Sequence, residues 1–403
     1  MIVFDDDRWD AFLPLTFTRP VGDLRCGMLK LRQRLQQIFA DQDNALWIAP
    51  SLLKLYNQRH PDWRLNQPSD EGELLVNSRL IVSEDSVEAI RNLLPGQGLV
   101  HDEQVVALRS ITSLSSPPSL TSLSQLGFKL IGCSSMLYND LSSLIHDNER
   151  LLRFDFEHYF YDKDNFFETE PGVTILDPYN VWLGEGVVLK PGVVLDASEG
   201  PIVIDEQAQV MANAVIIGPA YIGKRSLIKI GAKLYEGCSI GPVCKVGGEV
   251  EATIFQAYSN KQHDGFLGHS YIGEWVNIGA DTNNSDLKNT YKNVSFYSYR
   301  ERKKIDSGTL FLGTLIADHA KLGINTSINT GCVIGCGANL WSSALIADHI
   351  PSFSWGTADA LVPYRFEAFC KTARIVKGRR KLELSPSEVE LYEQIWRLET
   401  GLT

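Results

Sequence analysis

The sequence predicts an N-terminal α/β domain, then a parallel β-helix of hexapeptide repeats, then C-terminal helices. Three observations lead there. An aliphatic residue returns every sixth position from Ile204 through Val210, Ile216, Ile222, Ile228, Leu234 and Ile240 to Val246. It returns again at Phe266, Ile272 and Ile278, and from Leu310 through Ile316, Leu322, Ile328, Ile334 and Leu340 to Ile346. Residues before about 165 lack this period, and it stops after Trp355-Gly356. A period of six fits neither a helix at 3.6 nor an alternating strand. It fits short flat strands wound around a triangular prism, each sixth residue pointing inward. The expected boundaries are 1–165, 172–356 and 357–403.

In the first part, Ile2-Val-Phe4 and Ala45 to Ala49 read as buried strands, and Gly98 to Leu108 as strand, turn, strand. Gly27 to Phe39, Ser86 to Leu94 and Ser134 to Leu152 read as helices. Alternating signals of this kind predict an α/β sheet. Arg109 to Gly127, rich in serine around Pro117-Pro118, reads as an exposed, flexible connection. The aromatic and acidic stretch Phe154 to Glu170, with Phe156, Phe166 and Phe167, is expected to pack one domain onto the other.

The prism is expected to start near Val173, with an arm leaving it between Asn283 and Ser307. Tyr364 to Lys381 reads as a helix, and Ser385-Pro-Ser-Glu388 as the capping box of a last one. Helices there are expected to cover the prism's open edge.

The chain has 403 residues, a net charge of −11 and seven cysteines without a CxxC pair. Acidity argues against a nucleic-acid surface. The basic runs Arg300 to Lys304 and Lys377 to Lys381 read as solvated loop or helix ends. The cysteines read as small core or corner residues, with neither zinc nor disulfides. No signal-peptide pattern opens the chain and no apolar run reaches ~18 residues, so a cytoplasmic protein without a membrane span is expected.

The segment from Tyr258 to Asn284 breaks the aliphatic ladder and concentrates polar groups. Asn260 is expected at an inward position there, just before His263. A core that gives up aliphatic residues for Lys261, His263, Asn277 and Asn283 is expected to do chemistry. An imidazole titrates in the range a general base needs. His269 reads as a polar loop residue. A metal set is absent, since no His-x4-His occurs and five residues separate His263 from His269.

Lys261-Gln-His263, Gly268 and Asn277-Ile-Gly-Ala-Asp-Thr282 resemble the active-site coil of the bifunctional N-acetylglucosamine-1-phosphate uridylyltransferase/glucosamine-1-phosphate acetyltransferase family. The resemblance extends over the whole prism. It is closer still to a Bacteroidetes-type subgroup, through Tyr258-Ser-Asn-Lys261, Thr282 to Lys288, Gly323-Ile-Asn-Thr326 and Ile350 to Gly356. It implies a left-handed β-helix and transfer of an acetyl group from acetyl-CoA to an amino sugar phosphate or nucleotide-sugar. It places the general base on His263, the aromatic substrate contact on Phe266 and the sugar-binding asparagine on Asn283 or Asn284. Lys229, Lys245, Lys261, Asn277 and Lys288 become further substrate contacts. Backbone contacts to acetyl-CoA fall near Ala280 and Thr314, with His319 near the same cleft. That cleft lies between prisms of a homotrimer in the family.

Leu13-Pro-Leu-Thr-Phe-Thr-Arg-Pro20 resembles, less closely, a stretch of the sugar nucleotidyltransferases. The resemblance implies UDP-sugar synthesis by the N-terminal domain, with Mg²⁺ if that domain is active. Arg19 and Arg25 are then the candidates for phosphate contact. The family's glycine-rich loop is replaced by Phe4 to Phe12, which lacks the glycines that let a backbone cradle pyrophosphate. Asp5-Asp-Asp7 reads as a solvated turn, with a Mg²⁺ site as its alternative. A third reading is a sugar-nucleotide-binding trimeric scaffold without catalysis.

Overall fold

The computed structural model describes residues 1–161, 163, 165 and 171–402. They form two compact units, one of Met1–Leu24, Lys30–Asp140 and Pro386–Leu391, the other of Arg25–Leu29, Leu141–Ser385 and Tyr392–Thr403.

The first unit is a seven-stranded mixed sheet. Ile2–Phe4 lies inside it, parallel to Ala45–Trp47 on one side and to the central strand Leu74–Asn77 on the other. Gln104–Arg109 pairs antiparallel with Leu74–Asn77 and with Gln97–His101. Ile2, Phe4, Trp47, Leu75 and Leu108 meet in its core. The helices α1 (Leu31–Ile38), α2 (Leu53–Arg59), α3 (Glu84–Arg91) and α4 (Leu120–Gln125) connect the strands. Ser83 caps α3 by accepting from the Ser86 N–H, which satisfies an orphan donor. The stretch expected to be an exposed connection contains α4, and its Ser110, Leu114 and Leu123 are buried. A serine-rich composition hid the apolar residues that anchor it.

The second unit is a left-handed parallel β-helix, its strands stacked into three faces of six, nine and ten strands. Ile204 lies over Ile222, and Ile222 over Ile240, in unbroken register. Three hexads make one coil. Every residue of the first aliphatic series is buried in this one core, together with Cys238 and Cys244. The corners take left-handed backbone, as at Asn213 (φ 61°), Trp275 (φ 62°) and His319 (φ 60°). A Cβ on Gly241 would meet the Gln256 carbonyl oxygen at 2.0 Å and that of Phe255 at 2.6 Å. Backbone cannot yield there without parting two coils. We expect Gly241→Ala to cost about 2 kcal/mol in urea unfolding, the size of other overpacking changes. An unchanged midpoint would show that the coils slide freely.

Where the ladder breaks, the structure corrects the sequence reading. One coil is shortened on two of its sides, between Val246 and Val250 and again before Phe255, so the inward phase slips. The inward residues become Val250, Phe255, Lys261 and Leu267, aligned with Leu234, Ile240, Val246 and Val250. Asn260 points outward, and Lys261 takes the interior place assigned to it. Phe266 and Leu310 also lie off the inward column, and Leu310 is exposed. The arm is a hairpin of Ser295–Ser298 and Lys303–Asp306.

Helix α5 (Leu141–Tyr159) lays Leu152 and Phe156, with Met28, against the outward side chains Val203 and Tyr221 of one prism face. Phe156 thus packs within the second unit, while Phe166 and Phe167 lie outside the described residues. The C-terminal helices are α6 (Phe366–Gly378) and α7 (Pro386–Thr400). Instead of closing the prism's edge, α6 runs along its side: Phe369 packs near Phe353 and His319, and Arg380 reaches back to Asn260. The apolar spacing that made α6 legible does not say which surface it covers. Among the described residues no helix is long and apolar enough to cross a membrane.

Candidate active site

In the prism unit the site begins with Lys261. It is 1% exposed, and its ammonium donates to the carbonyl oxygens of Gly247 (3.2 Å) and His263 (2.9 Å). Burial drives its pKa down to about 8, while Asp264 and Asp281 hold it up. The carbonyl bonds anchor the turn that carries His263. That turn closes on Gly265, whose φ of 116° favours glycine and whose Cβ would meet the Thr282 carbonyl at 2.2 Å. The His263 side chain is left exposed.

His263 shares a ridge with its neighbours on the next coils. Lys261 aligns with Ile278, and Ile278 with Leu322, so His263, Ala280 and Ile324 stand at one corner. Backbone bonds Asp281 N–H to Asp264 carbonyl (3.0 Å) and Asn325 N–H to Ala280 carbonyl (2.8 Å) tie the three turns together. Ile324 is 67% exposed there.

The asparagines divide. Exposed Asn283 accepts the Phe266 N–H at 2.8 Å and so ties its coil to the one before, which carries Phe266, the next residue but two after His263. Asn284 turns inward, where its amide accepts from Gly268 N–H (2.9 Å) and donates to the Gly268 carbonyl (3.0 Å). It stands over Ile328 in the core column, replacing strand bonds rather than facing a ligand. Lys288 is held in the arm by the Asn293 carbonyl.

The other candidates do not all converge. Thr314 is fully buried, and its N–H donates to the Ser270 hydroxyl. A substrate has no access to it. His319 is 3% exposed, with Trp275, Phe369 and Tyr392 around its ring. Aromatic packing, and no open cleft, surrounds it. Lys229 lies beneath Gly247, and its charge helps lower the Lys245 pKa. His269 has a partner the sequence did not indicate: its Nδ1 lies 2.8 Å from Asp286 Oδ2, and its ring stacks near Phe311. No spacing rule joins residues so placed across a coil.

Lys245 and Asn277 line a cleft of about 300 Å³ between one prism face and α6. Sequence reasoning missed its remaining walls, among them Asn260, Lys321, Arg379 and Arg380. The run Lys377 to Lys381, read as a solvated helix end, supplies two of them. Lys377 itself is 6% exposed, with its ammonium over the Trp275 ring.

The α/β unit has its own cleft, of about 800 Å³, at the carboxyl ends of Ile2–Phe4 and Ala45–Trp47. Ligands of open α/β sheets sit at such ends. Asp5, Asp6, Asp7, Trp9, Asn66 and Gln104 are among its walls. The acidic run is a solvated turn only at Asp7, which is exposed. Asp5 is buried and accepts from Ser78 Oγ (2.6 Å) and Val21 N–H (3.0 Å); burial pushes its pKa up to about 7. Burial also acts on Asp6, but the Arg79 guanidinium, 3.0 Å away through Nε, holds it below the usual carboxylate range. The Asp5 oxygens are engaged by Ser78 and Val21 and those of Asp6 by Arg79 and Asn77, so neither carboxylate is presented freely to Mg²⁺. Arg19 and Arg25 are both buried and neither lines this cleft. Arg25 belongs to the prism unit, where its backbone N–H donates to Tyr271 Oη and its guanidinium lies over Tyr221.

Residues 1–162 match the family model for sugar nucleotidyl transferases. The chain is 24% identical over 247 residues to the bifunctional protein GlmU of Staphylococcus haemolyticus, covering 55% of this chain and 49% of that one. Against GlmU of Desulfitobacterium hafniense it is 30% identical over 207 residues, covering 45% and 41%. The chain thus spans about half the length of the curated relatives it matches. The UDP-N-acetylglucosamine acyltransferase structure from Francisella novicida is 14% identical, with a TM-score of 0.25, over 57% of this chain and 76% of that chain. Part of the chain is thus similar to the GlmU-type bifunctional proteins, and residues 1–162 are similar to sugar nucleotidyl transferases.

Proposed function

We propose that the prism transfers an acetyl group from acetyl-CoA to an amino sugar phosphate, of which glucosamine 1-phosphate is the first to test. One observation carries the reading: the exposed His263 turn is anchored from inside by Lys261, a cation in the core column, and stands on a ridge with Ala280 and the exposed Ile324. An imidazole held by its own turn is a positioned base. In the step, the acceptor amine nitrogen bonds to the thioester carbon and its proton passes to His263. The carbon–sulfur bond breaks, and CoA leaves as the thiol, taking the proton. Ala280 N–H at the corner is the candidate donor to the oxyanion. Phe266 and Asn283 are the acceptor contacts nearest this base.

The similarity to bifunctional relatives supports a second activity, nucleotidyl transfer in the large α/β cleft. Residues 1–165 and 172–356 would then each carry one reaction, with 357–403 as the helical close. A cytoplasmic homotrimer, with CoA between neighbouring prisms, completes the proposal.

Labelled acetyl-CoA and glucosamine 1-phosphate test the first activity in the full chain. Transfer of label to the amine is expected. Release of CoA without labelled product, or no reaction with any amino sugar phosphate or nucleotide-sugar, overturns it.

A further inference from the structure

The outward side chains of one prism face form a ladder, Lys245 over Asn260, Asn260 over Asn277, Asn277 over Lys321. Neighbouring rungs are ~4.8 Å apart, as in any sheet. The last turn of α6 brings Arg379 and Arg380 over this ladder, with Arg380 Nη2 bonded to Asn260 Oδ1 at 3.2 Å. Four basic side chains therefore surround one cleft, and among the described residues no carboxylate lines it. Cations near a helix C-terminus are favoured by its dipole, but that does not require them to crowd together. The crowding is felt: burial lowers the Lys245 pKa first, and Arg380, Arg379 and Lys229 lower it further. Burial likewise pulls Lys321 down to about 7, although its ammonium donates to the carbonyls of Trp275 and His319. A concave site with repelling cations and amide donors is complementary to an anion of high charge.

We propose that this cleft binds the phosphate or pyrophosphate group of a small phosphorylated molecule, with Arg379, Arg380 and Lys245 as charge partners and Asn277 as amide donor. Its volume of about 300 Å³ is at the lower end of ligand pockets, which suits a monosaccharide phosphate or a diphosphate group rather than a whole dinucleotide. Tyr258, stacked on Trp275 at 4.4 Å, gives the cleft an apolar wall for the ring such a group is attached to. The inference rests on the cleft alone and does not depend on acetyl transfer.

Titration calorimetry of the full chain with inorganic pyrophosphate, inorganic phosphate and glucosamine 1-phosphate tests it. Saturable binding is expected for at least one probe, weakened at least tenfold in R379Q/R380Q. Near pH 7 binding should also take up protons, read from the buffer dependence of the heat, as Lys321 becomes charged. Pyrophosphate binding tighter than both other probes assigns a diphosphate group; glucosamine 1-phosphate binding tighter assigns a sugar phosphate. No saturation by any probe at millimolar concentration, or equal affinity in the double variant, overturns the proposal. Should the double variant not fold, Lys245→Gln at the rim of the same cleft gives the same reading. Probe binding is read without acetyl-CoA and needs no turnover, so failure of the acetyl-transfer reading leaves this one standing.

Discussion

Replacing His263 by alanine is expected to lower acetyl transfer about 10²- to 10⁴-fold, the usual contribution of a positioned general base. The fold should not notice. The side chain is exposed, and the turn is held through its backbone carbonyl, which alanine keeps. Thermal unfolding should therefore stay within about 1 °C of the parent, as for ordinary surface substitutions. The informative control is His269→Ala. His269 has the carboxylate partner that bases elsewhere often use, Asp286 at 2.8 Å, but it lies at a different corner from Ala280 and Ile324. If transfer survives His263→Ala and is lost in His269→Ala, the base is the Asp286-paired imidazole and the ridge has been misread. Rates are measured as kcat/KM for labelled acetyl-CoA, so that a weakened acceptor site is not mistaken for a lost base.

Lys261→Met is expected to change how stability depends on pH. In the folded chain the Lys261 pKa falls from the ordinary 10.5 to about 8. Below pH 8 both folded and unfolded chains carry the proton, and the folded one bears the full cost of a buried charge. Between pH 8 and 10.5 the unfolded chain binds more protons, so stability rises with pH. The rise attributable to this residue is about 3 kcal/mol. Urea unfolding of parent and variant at pH 7 and pH 10 isolates it, because every other titrating group is common to both. The parent should gain about 3 kcal/mol on the variant between the two pH values. A difference that stays constant would mean that the ammonium is already solvated. Methionine fills a similar volume, so the cavity contribution is small. It cannot hold the carbonyls of Gly247 and His263, so acetyl transfer should fall as well, through the loosened turn.

The hexads were legible because a six-residue period has few structural solutions, and eight successive aliphatic positions from Ile204 to Val246 all face one core. What the period cannot encode is a shortened coil. Gly247-Gly248 lets the chain turn two residues early, and counting back in sixes from Ile272 points to Phe266 where the structure uses Leu267. Asn260 and Lys261 exchanged roles for the same reason, one outward and one inward. The site was half legible. His263 and Phe266 are near in sequence, and Asn283, 17 residues after Phe266, meets it because the chain has by then wound round once. Arg379 and Arg380 are more than a hundred residues from Asn260, and only the path of α6 along the prism's side joins them. Thr314 and His319 were placed by resemblance, but burial in this chain closes them off.

The stacking of Ile204, Ile222 and Ile240 has a consequence for how the molecule comes apart. Each coil touches only the coil before and the coil after, so cohesion spreads along one dimension rather than through a shared centre. Loss of order then advances like a zipper opening from an end. Lys261 and Asn284 interrupt the greasy seam near its middle, where two polar teeth meet aliphatic ones. The seam is thus held by directed hydrogen bonds rather than by apolar contact alone at the very coils that carry the exposed imidazole, where reactants are proposed to meet.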